Sequence, residues 1–148
     1  MYSVLVIIWQ IVIFLFSAQP ANVSSNISGG ITKSVIKIFA PSINEHTLAN
    51  IADSLSFAVR KSAHFFSYML LCILMYNAVK KNNLIKHKKV STIIFCFLYA
   101  ISDEIHQYFV PGRACRVSDI FIDTCGILTS ILIITLFINF KRKIRLKK

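Results

Sequence analysis

Long runs of apolar residues, separated by short polar segments, are the main pattern along the chain. A helix needs about 17 to 25 residues to cross the hydrocarbon core of a bilayer. Four runs meet this requirement, namely Tyr2–Ala18, Ser62–Val79, Val90–Val110 and Ser118–Phe140. The pattern therefore predicts an all-α polytopic membrane protein, in which residues 1–148 form a single domain with a bundle of four transmembrane helices.

The segment between the first two runs carries two shorter apolar stripes at helical spacing. One stripe extends from Ile31 to Phe39, and the other extends from Leu48 to Val59. Stripes with this period are typical of amphipathic helices that pack on a bundle or on lipid. We therefore expect a short amphipathic helix in this outer loop, while the second stripe either lies on the membrane surface or continues into the second span.

Turn and capping signals refine the predicted helix boundaries. We expect Gly29-Gly30 to break the first loop, and Pro111 with the glycine after it to form the turn between the third and fourth spans. Ser42 to Glu45 have the form of a capping box, with serine at the N-cap and glutamate at N3. The pattern thus predicts a helix that begins near Ser42, and it makes the third and fourth spans antiparallel neighbours.

The composition argues against a soluble domain and for a membrane protein. Hydrophobic residues make up 55% of the chain and charged residues only 16%, too few to cover a soluble domain of this size. The net charge of +11 comes from 17 lysines and arginines against six acids, and these charges lie between the apolar runs. This placement indicates membrane lipids as partners and argues against nucleic acid.

The cations are divided unevenly between the two sides of the predicted bundle. Eleven lie in residues 80–89 and 141–148, and the other six lie in the opposite loops. Because cytoplasmic loops carry an excess of lysine and arginine, we expect both termini in the cytoplasm and residues 19–61 and 111–117 outside. The first run has no lysine or arginine before it, which favours a retained span over a cleaved signal peptide.

Polar and ionisable side chains are concentrated at one end of the predicted spans. A charged group costs about 2.5–3.5 kcal/mol at the centre of a bilayer, so such groups are kept where they pair or serve a function. Under the expected orientation this set lies at the outer ends of the helices and in the turn between them. The candidate ligand-binding residues are Arg60, Lys61, His64, Asp103, Glu104, Gln107, Arg113, Arg116, Asp119 and Asp123.

Helical spacing places part of this set on one face of the fourth span. Asp119, Asp123 and Gly126 share that face, and the glycine would let a neighbouring helix approach closely. The four carboxylates and four cations of the set cancel in formal charge. A neutral lattice of ion pairs that only joins the helices is therefore the structural alternative to a binding site.

Signals for metal binding and for disulfides are weak in the sequence. His64, His106 and the carboxylates are residue types that bind zinc or manganese, but the spacings H-x-x-x-H and H-E-x-x-H do not occur. The four cysteines form no C-x-x-C pair. We therefore expect no bound metal, no cofactor and no disulfide framework.

The same residues resemble the VanZ family of small bacterial membrane proteins, which is named for a teicoplanin-resistance factor. The matching segments, in the family's order, are Phe16-Ser17-Ala18-Gln19-Pro20, Arg60-Lys61-x-x-His64-Phe65, Glu104-x-x-Gln107 with Pro111-Gly112-Arg113, and Asp119-x-x-x-Asp123-x-x-Gly126. The resemblance implies a multi-pass protein of the bacterial cytoplasmic membrane, with a link to reduced susceptibility to lipid-tailed glycopeptides. Asp123 departs from the family pattern, since we expect asparagine there in many relatives.

The leading functional hypothesis is an envelope protein that binds through its outward-facing polar layer. The ligand would be an anionic lipid, a lipid-linked cell-wall precursor or a lipoglycopeptide, and the effect would be lower susceptibility to teicoplanin-type drugs. Arg60, Lys61, Arg113 and Arg116 would contact phosphate or carboxylate, because arginine in particular matches the geometry of these groups.

Two alternatives come from other classes of function. An intramembrane enzyme could act on a lipid-linked envelope substrate, with Glu104 or Asp119 as general acid or base and His64 or His106 as its partner. The chain could instead be a structural subunit of a larger membrane complex. The catalytic candidates under the first alternative are Glu104, Asp119 and His64.

Overall fold

The chain is all-helical in a computed structural model that describes residues 1–81 and 85–146. The helices of this part of the chain are α1 (Tyr2–Ser17), α2 (Ala21–Phe39), α3 (Glu45–Val79), α4 (Lys88–Tyr108) and α5 (Val117–Arg145). The predicted fold class, an all-α polytopic membrane protein, is thus confirmed. Lys147 and Lys148 of the predicted basic tail lie outside the described residues.

The helices differ in how well they are suited to cross a bilayer. By length and composition, α3 and α5 qualify within the described residues. α1 and α2 bend by 105° at the break between them, and they add a third crossing if the pair is counted as one span. The sequence predicted four spans, which correspond to α1, the second half of α3, α4 and α5. α1 is only 16 residues long, and α4 begins with two lysines and carries two acids near its end, which explains why neither qualifies by itself.

Helix α3 settles the question that the second apolar stripe left open, because it runs without a break from the loop into the predicted second span. Its start corrects the predicted capping box. Asn44 is the N-cap, and its side chain accepts a hydrogen bond from the backbone N–H of His46 at 2.8 Å. Asparagine is as good an N-cap as serine, and the preceding residues form a turn in which the N–H of Ile43 bonds to the carbonyl of Ala40.

The predicted break at Gly29-Gly30 is wrong, because both glycines lie inside α2. Glycine costs a helix about 1 kcal/mol relative to alanine, and the tertiary contacts of α2 outweigh this cost. α2 runs antiparallel to the first part of α3. Arg60 Nη1 donates to Ser25 Oγ at 3.1 Å near one end of this pair, and Lys37 contacts Glu45 at 2.8 Å near the other.

The other helices form a bundle with one common polar end. The Tyr99 hydroxyl donates to the carbonyl of Gln10, and Gln107 contacts Ser17, so α1 and α4 run parallel. α3 and α5 run parallel to each other in the opposite direction, since Lys61 contacts Asp119 and the Cys72 thiol contacts the carbonyl of Ile127. The core between them contains Tyr68, Leu71, Cys72, Cys96, Ala100 and Ile127. We call the end of the bundle that holds the α4–α5 turn, residues 109–116, the polar end.

Candidate functional site

A tight turn joins α4 to α5 at the polar end, as the sequence predicted. The N–H of Arg113 donates to the carbonyl of Val110 at 3.1 Å, which closes a four-residue turn. Pro111 supplies the fixed φ of its second position, and Gly112 has φ +74° at the third. A side chain on Gly112 would also meet the Cβ of Ala21 at 3.2 Å. The turn therefore packs against the start of α2.

Close contact between α3 and α5 assembles the interior of the polar end. A Cβ on Gly126 would overlap the carbonyl oxygen of Phe65 and would lie 3.2 Å from the nitrogen of Met69. The predicted role of Gly126 in helix approach is thus confirmed. One turn earlier on α5, this approach places Asp123 Oδ1 3.3 Å from Nδ1 of His64.

Ion pairing at the polar end is less extensive than a lattice would require. Among the described residues, Lys61 contacts Asp119 and His64 contacts Asp123, whereas Asp103 and Glu104 have no cationic side chain within 4 Å. The Lys61–Asp119 pair is largely shielded from solvent, with 15% and 11% of the side chains exposed. Charge cancellation alone therefore does not explain this cluster.

Arg113 holds the end of α1 against α4 and the turn. Its Nε donates to the carbonyl of Gln19 at 2.8 Å and its Nη2 to that of Phe16 at 3.1 Å, while Nη1 donates to Gln107 Oε1 at 3.0 Å. Burial, and then the charge of nearby Arg60, lower the pKa of the Arg113 guanidinium from its ordinary value. Arginine is not deprotonated in proteins, so the group stays charged at neutral pH.

Gln107 extends this network into α1 and along α4. Its Nε2 donates to Ser17 Oγ and to Asp103 Oδ2, both at 3.2 Å. Ser17 is buried at 4% exposure, so these bonds lie in the interior. Together the bonds of Gln107 and Arg113 join α1, α4 and the turn into one polar unit.

Glu104 and Arg116 meet in a way that the sequence did not predict. The backbone N–H of Arg116, rather than its side chain, donates to Glu104 Oε2 at 2.9 Å. The Arg116 residue itself is exposed at the N-terminal end of α5. Its guanidinium is therefore available to a ligand without breaking a contact that holds the bundle together.

The ten predicted binding residues all lie at the polar end, but His106 does not join them. Its ring stacks on Phe14 of α1 with the ring centroids 4.5 Å apart. Sequence reasoning missed the carbonyls of Phe16 and Gln19, which accept hydrogen bonds from Arg113, and the hydroxyl of Ser25, which accepts one from Arg60. Backbone acceptors leave no signal in a sequence.

Two adjoining cavities open beside this network. The smaller, which we call the cationic pocket, has a volume of about 90 Å³. The larger, which we call the apolar cleft, has a volume of about 280 Å³ and lies between α1, α2 and α3. The two share three residues, Arg60, His64 and Arg113. The cationic pocket adds Lys61, Arg116 and Asp119, and the apolar cleft adds Trp9, Ile13, Phe16, Ile27, Ile31 and Val59.

Comparison with known proteins identifies the family. The sequence model of the VanZ/LLP1 family matches residues 2–138, so this chain belongs to that family. The resemblance seen in the ordered motifs is thereby confirmed. No curated protein and no solved structure shows a significant match to the chain.

Proposed function

We propose that this protein binds an anionic amphiphile, either an anionic lipid or a lipid-linked cell-wall precursor, at the outer face of the bacterial cytoplasmic membrane. The observation that carries the proposal is the common wall of the two cavities. Arg60, His64 and Arg113 line both the cationic pocket and the apolar cleft. A molecule with a negative head and an apolar tail fits both environments at once.

The cationic pocket suits a phosphate or carboxylate head group. Four cations line it, and the acid that lines it, Asp119, is already paired with Lys61. Arg113 is positioned by three hydrogen bonds, and Arg116 is exposed. Hydrogen bonds between arginine and an anionic oxygen are about twice as strong as neutral ones. The pocket therefore favours an anion over a neutral polar group.

The apolar cleft suits part of a hydrocarbon chain. Trp9 and Ile13 of α1 line it together with Ile27 and Ile31 of α2. At about 280 Å³ it is near the lower limit of ligand cavities, which begin at about 300 Å³. The cleft would accordingly hold the segment of an acyl or prenyl chain next to the head group, while the rest of the chain extends into the bilayer.

The distribution of cations supports an outward orientation of the polar end. The described part of the opposite end exposes lysines and arginines in residues 80–89 and 141–146, with no acid in either segment. Such segments favour the cytoplasmic side. In this orientation both termini are cytoplasmic, and the cationic pocket meets the head groups of the outer leaflet.

Binding at this position would lower susceptibility to teicoplanin-type glycopeptides. Such drugs carry a lipid tail, so they reach their target from the membrane surface. We expect the teicoplanin inhibitory concentration to rise in a susceptible Gram-positive host that expresses the chain, with that of vancomycin unchanged. If the inhibitory concentration of teicoplanin is unchanged while the protein is confirmed in the membrane, the protein does not confer resistance, and lipid binding has to be tested by itself.

Lipid binding is tested with purified protein in phosphatidylcholine nanodiscs. The probes are phosphatidylglycerol, a polyprenyl phosphate and, as the neutral reference, further phosphatidylcholine. Arg116→Ala is the preferred variant, because Arg116 lines the pocket and the backbone N–H that bonds to Glu104 is retained. Lys33→Gln removes an exposed cation of α2 outside the pocket and serves as the matched control.

The proposal predicts tighter binding of an anionic probe than of the neutral lipid, weakened in Arg116→Ala and unchanged in Lys33→Gln. Equal binding of all three probes would contradict it. Turnover of the polyprenyl phosphate that is lost in Glu104→Gln would instead indicate the intramembrane enzyme. Co-purification of one stoichiometric protein partner, without lipid selectivity, would indicate the structural subunit.

A further inference from the structure

A separate cluster lies in the interior of the bundle, next to the cationic pocket. His64 of α3, Glu104 of α4 and Asp123 of α5 each place one nitrogen or oxygen within 4.8 Å of the others. We propose that these three residues bind a divalent transition-metal ion, with zinc and manganese as the candidates. Glu104 and Asp123 line neither cavity, whereas His64 lines both, so the site adjoins the lipid pocket at one residue.

Unpartnered oxygens are the first observation that points to a ligand. Glu104 and Asp123 are both 0% exposed. Within residues 1–81 and 85–146, Glu104 Oε1 and both carboxylate oxygens of Asp123 take part in no hydrogen bond, and the one ionic contact of Asp123 is with His64, a member of the same cluster. Buried polar groups are nearly always hydrogen-bonded, because an unpaired one costs about 1–3 kcal/mol and more when it is charged. A metal ion would satisfy these oxygens together.

Charge balance is the second observation. Lys61, the neighbouring lysine at the polar end, already contacts Asp119, which leaves His64 to face the two carboxylates. Buried carboxylates in proteins are either paired or coordinate metals. A divalent ion bound by a neutral imidazole and two carboxylates gives a neutral site.

The chemistry of the donors selects the class of metal. An imidazole nitrogen with carboxylate oxygens suits zinc and manganese, whereas calcium and magnesium prefer oxygen alone. Zinc binds such donors at about 2.0–2.2 Å, which places them about 3.4 Å apart in a tetrahedral site. Small side-chain rotations would bring donors within 4.8 Å to that spacing, and Asp123 can turn because its carboxylate oxygens are not held by other bonds.

The absence of a metal-binding spacing in the sequence has a simple structural reason. Each ligand comes from a different helix, so no two are close in sequence. The contact of Gly126 with α3 brings Asp123 to His64, and the hydrogen bond from the Arg116 N–H orients Glu104 toward them. The prediction of no metal, made from spacing alone, is therefore replaced by this proposal.

Metal content of the full-length protein in detergent tests the site. After removal of the affinity tag, the protein is treated with a chelator to remove bound metal. It is then incubated with zinc or manganese chloride and desalted, and elemental mass spectrometry measures the metal that remains bound. We expect about one ion per chain. Asp123→Asn and His64→Gln should each weaken binding about tenfold or more, because they remove a direct ligand. Asp53→Asn and His106→Gln, which lie outside the cluster, are the matched controls.

Two further measurements on the wild-type protein keep the test valid if a variant folds poorly. Metal should raise the Tm of the protein, and X-ray absorption spectroscopy should show one imidazole among the ligands of the bound ion. Substoichiometric zinc and manganese in the wild-type protein would overturn the proposal. Equal metal content in Asp123→Asn, or a bound metal without an imidazole neighbour, would overturn it as well.

Discussion

Both ends of the bundle are rich in lysine and arginine, but these cations have different surroundings. At the polar end Lys61 contacts a carboxylate, and Arg113 donates to two backbone carbonyls and an amide. At the opposite end Lys88 donates to the carbonyl of Lys80 and Lys89 to the hydroxyl of Thr135, and Lys141 lies over the ring of Phe137 at 4.5 Å. Residues 80–89 and 141–148 contain no acid that could hold such cations.

The difference shows that positive charge can form a binding pocket at one end of the bundle and set the membrane orientation at the other. Cations beside acids and carbonyls are fixed in position, and they form a pocket that a ligand of defined shape can enter. Among the described residues, the cations of the opposite end contact no carboxylate, and they interact with anionic lipid as a diffuse layer, which sets orientation and not specificity. The polar end is therefore the end where a single substitution should change function.

The first prediction tests which end of the bundle faces the outside of the cell, and each cysteine should be either labelled or not labelled from outside. Cys115 is exposed in the α4–α5 turn, Cys125 is half-buried within α5, and Cys72 and Cys96 are buried. A membrane-impermeant thiol reagent added to intact cells should label the wild-type protein and should not label Cys115→Ser. A cysteine introduced in the basic tail by Lys143→Cys, in the Cys115→Ser background, should be labelled only after permeabilisation. The reverse pattern would place the polar end in the cytoplasm.

The second prediction tests the helix contact that assembles the polar end. Gly126→Ala should lower the free energy of unfolding by about 3 kcal/mol, because its Cβ would collide with the backbone of α3. Gly30→Ala is the control, since a Cβ there meets no described atom within 4 Å. It should leave stability unchanged or raise it by about 0.5–1 kcal/mol. Thermal unfolding in detergent measures both, and equal effects would refute the close contact.

The third prediction compares a shielded ion pair with an exposed one. Lys61→Met should cost about 2 kcal/mol, because it leaves Asp119 buried and unpaired. Lys37→Met breaks a pair whose side chains are 51% and 78% exposed, and it should cost less than about 1 kcal/mol. A double-mutant cycle with Asp119→Asn isolates the coupling. Similar coupling energies for the two pairs would show that burial does not distinguish them.

The fourth prediction concerns the opposite end and has the smallest effect. Lys143→Gln removes an exposed cation of the tail and should change the free energy of unfolding by less than about 0.5 kcal/mol. Phosphatidylglycerol binding in nanodiscs should also stay close to the wild-type value. A loss of binding as large as that of Arg116→Ala would mean that the basic tail, and not the cationic pocket, holds the lipid.

Much of the fold could be predicted because its signals are local. Apolar runs predicted the helical class, and Pro111 with the glycine after it predicted the turn. The errors were local as well. The helix begins after Asn44 instead of at the capping box, and Gly29-Gly30 is helical, because packing of α2 on α3 outweighs helix propensity.

The site was predictable in its members but not in its connections. Ten polar residues that a charge pattern placed at one end do lie there. Their partners depend on tertiary geometry, so the bond from the Arg116 N–H to Glu104 and the stacking of His106 on Phe14 have no sequence signal. The grouping of one ligand-type residue from each of three helices is hidden from any spacing rule for the same reason.

The most direct test of the central claim is photo-crosslinking with an anionic lipid that carries a reactive group on its head. Protein in nanodiscs is irradiated with a trace of this probe, and the adducts are located by peptide mass spectrometry. Our account predicts adducts in residues 57–64 and 111–119, which surround the cationic pocket, competed by unlabelled polyprenyl phosphate or phosphatidylglycerol. Adducts confined to residues 141–146, or spread equally over both ends, would contradict it.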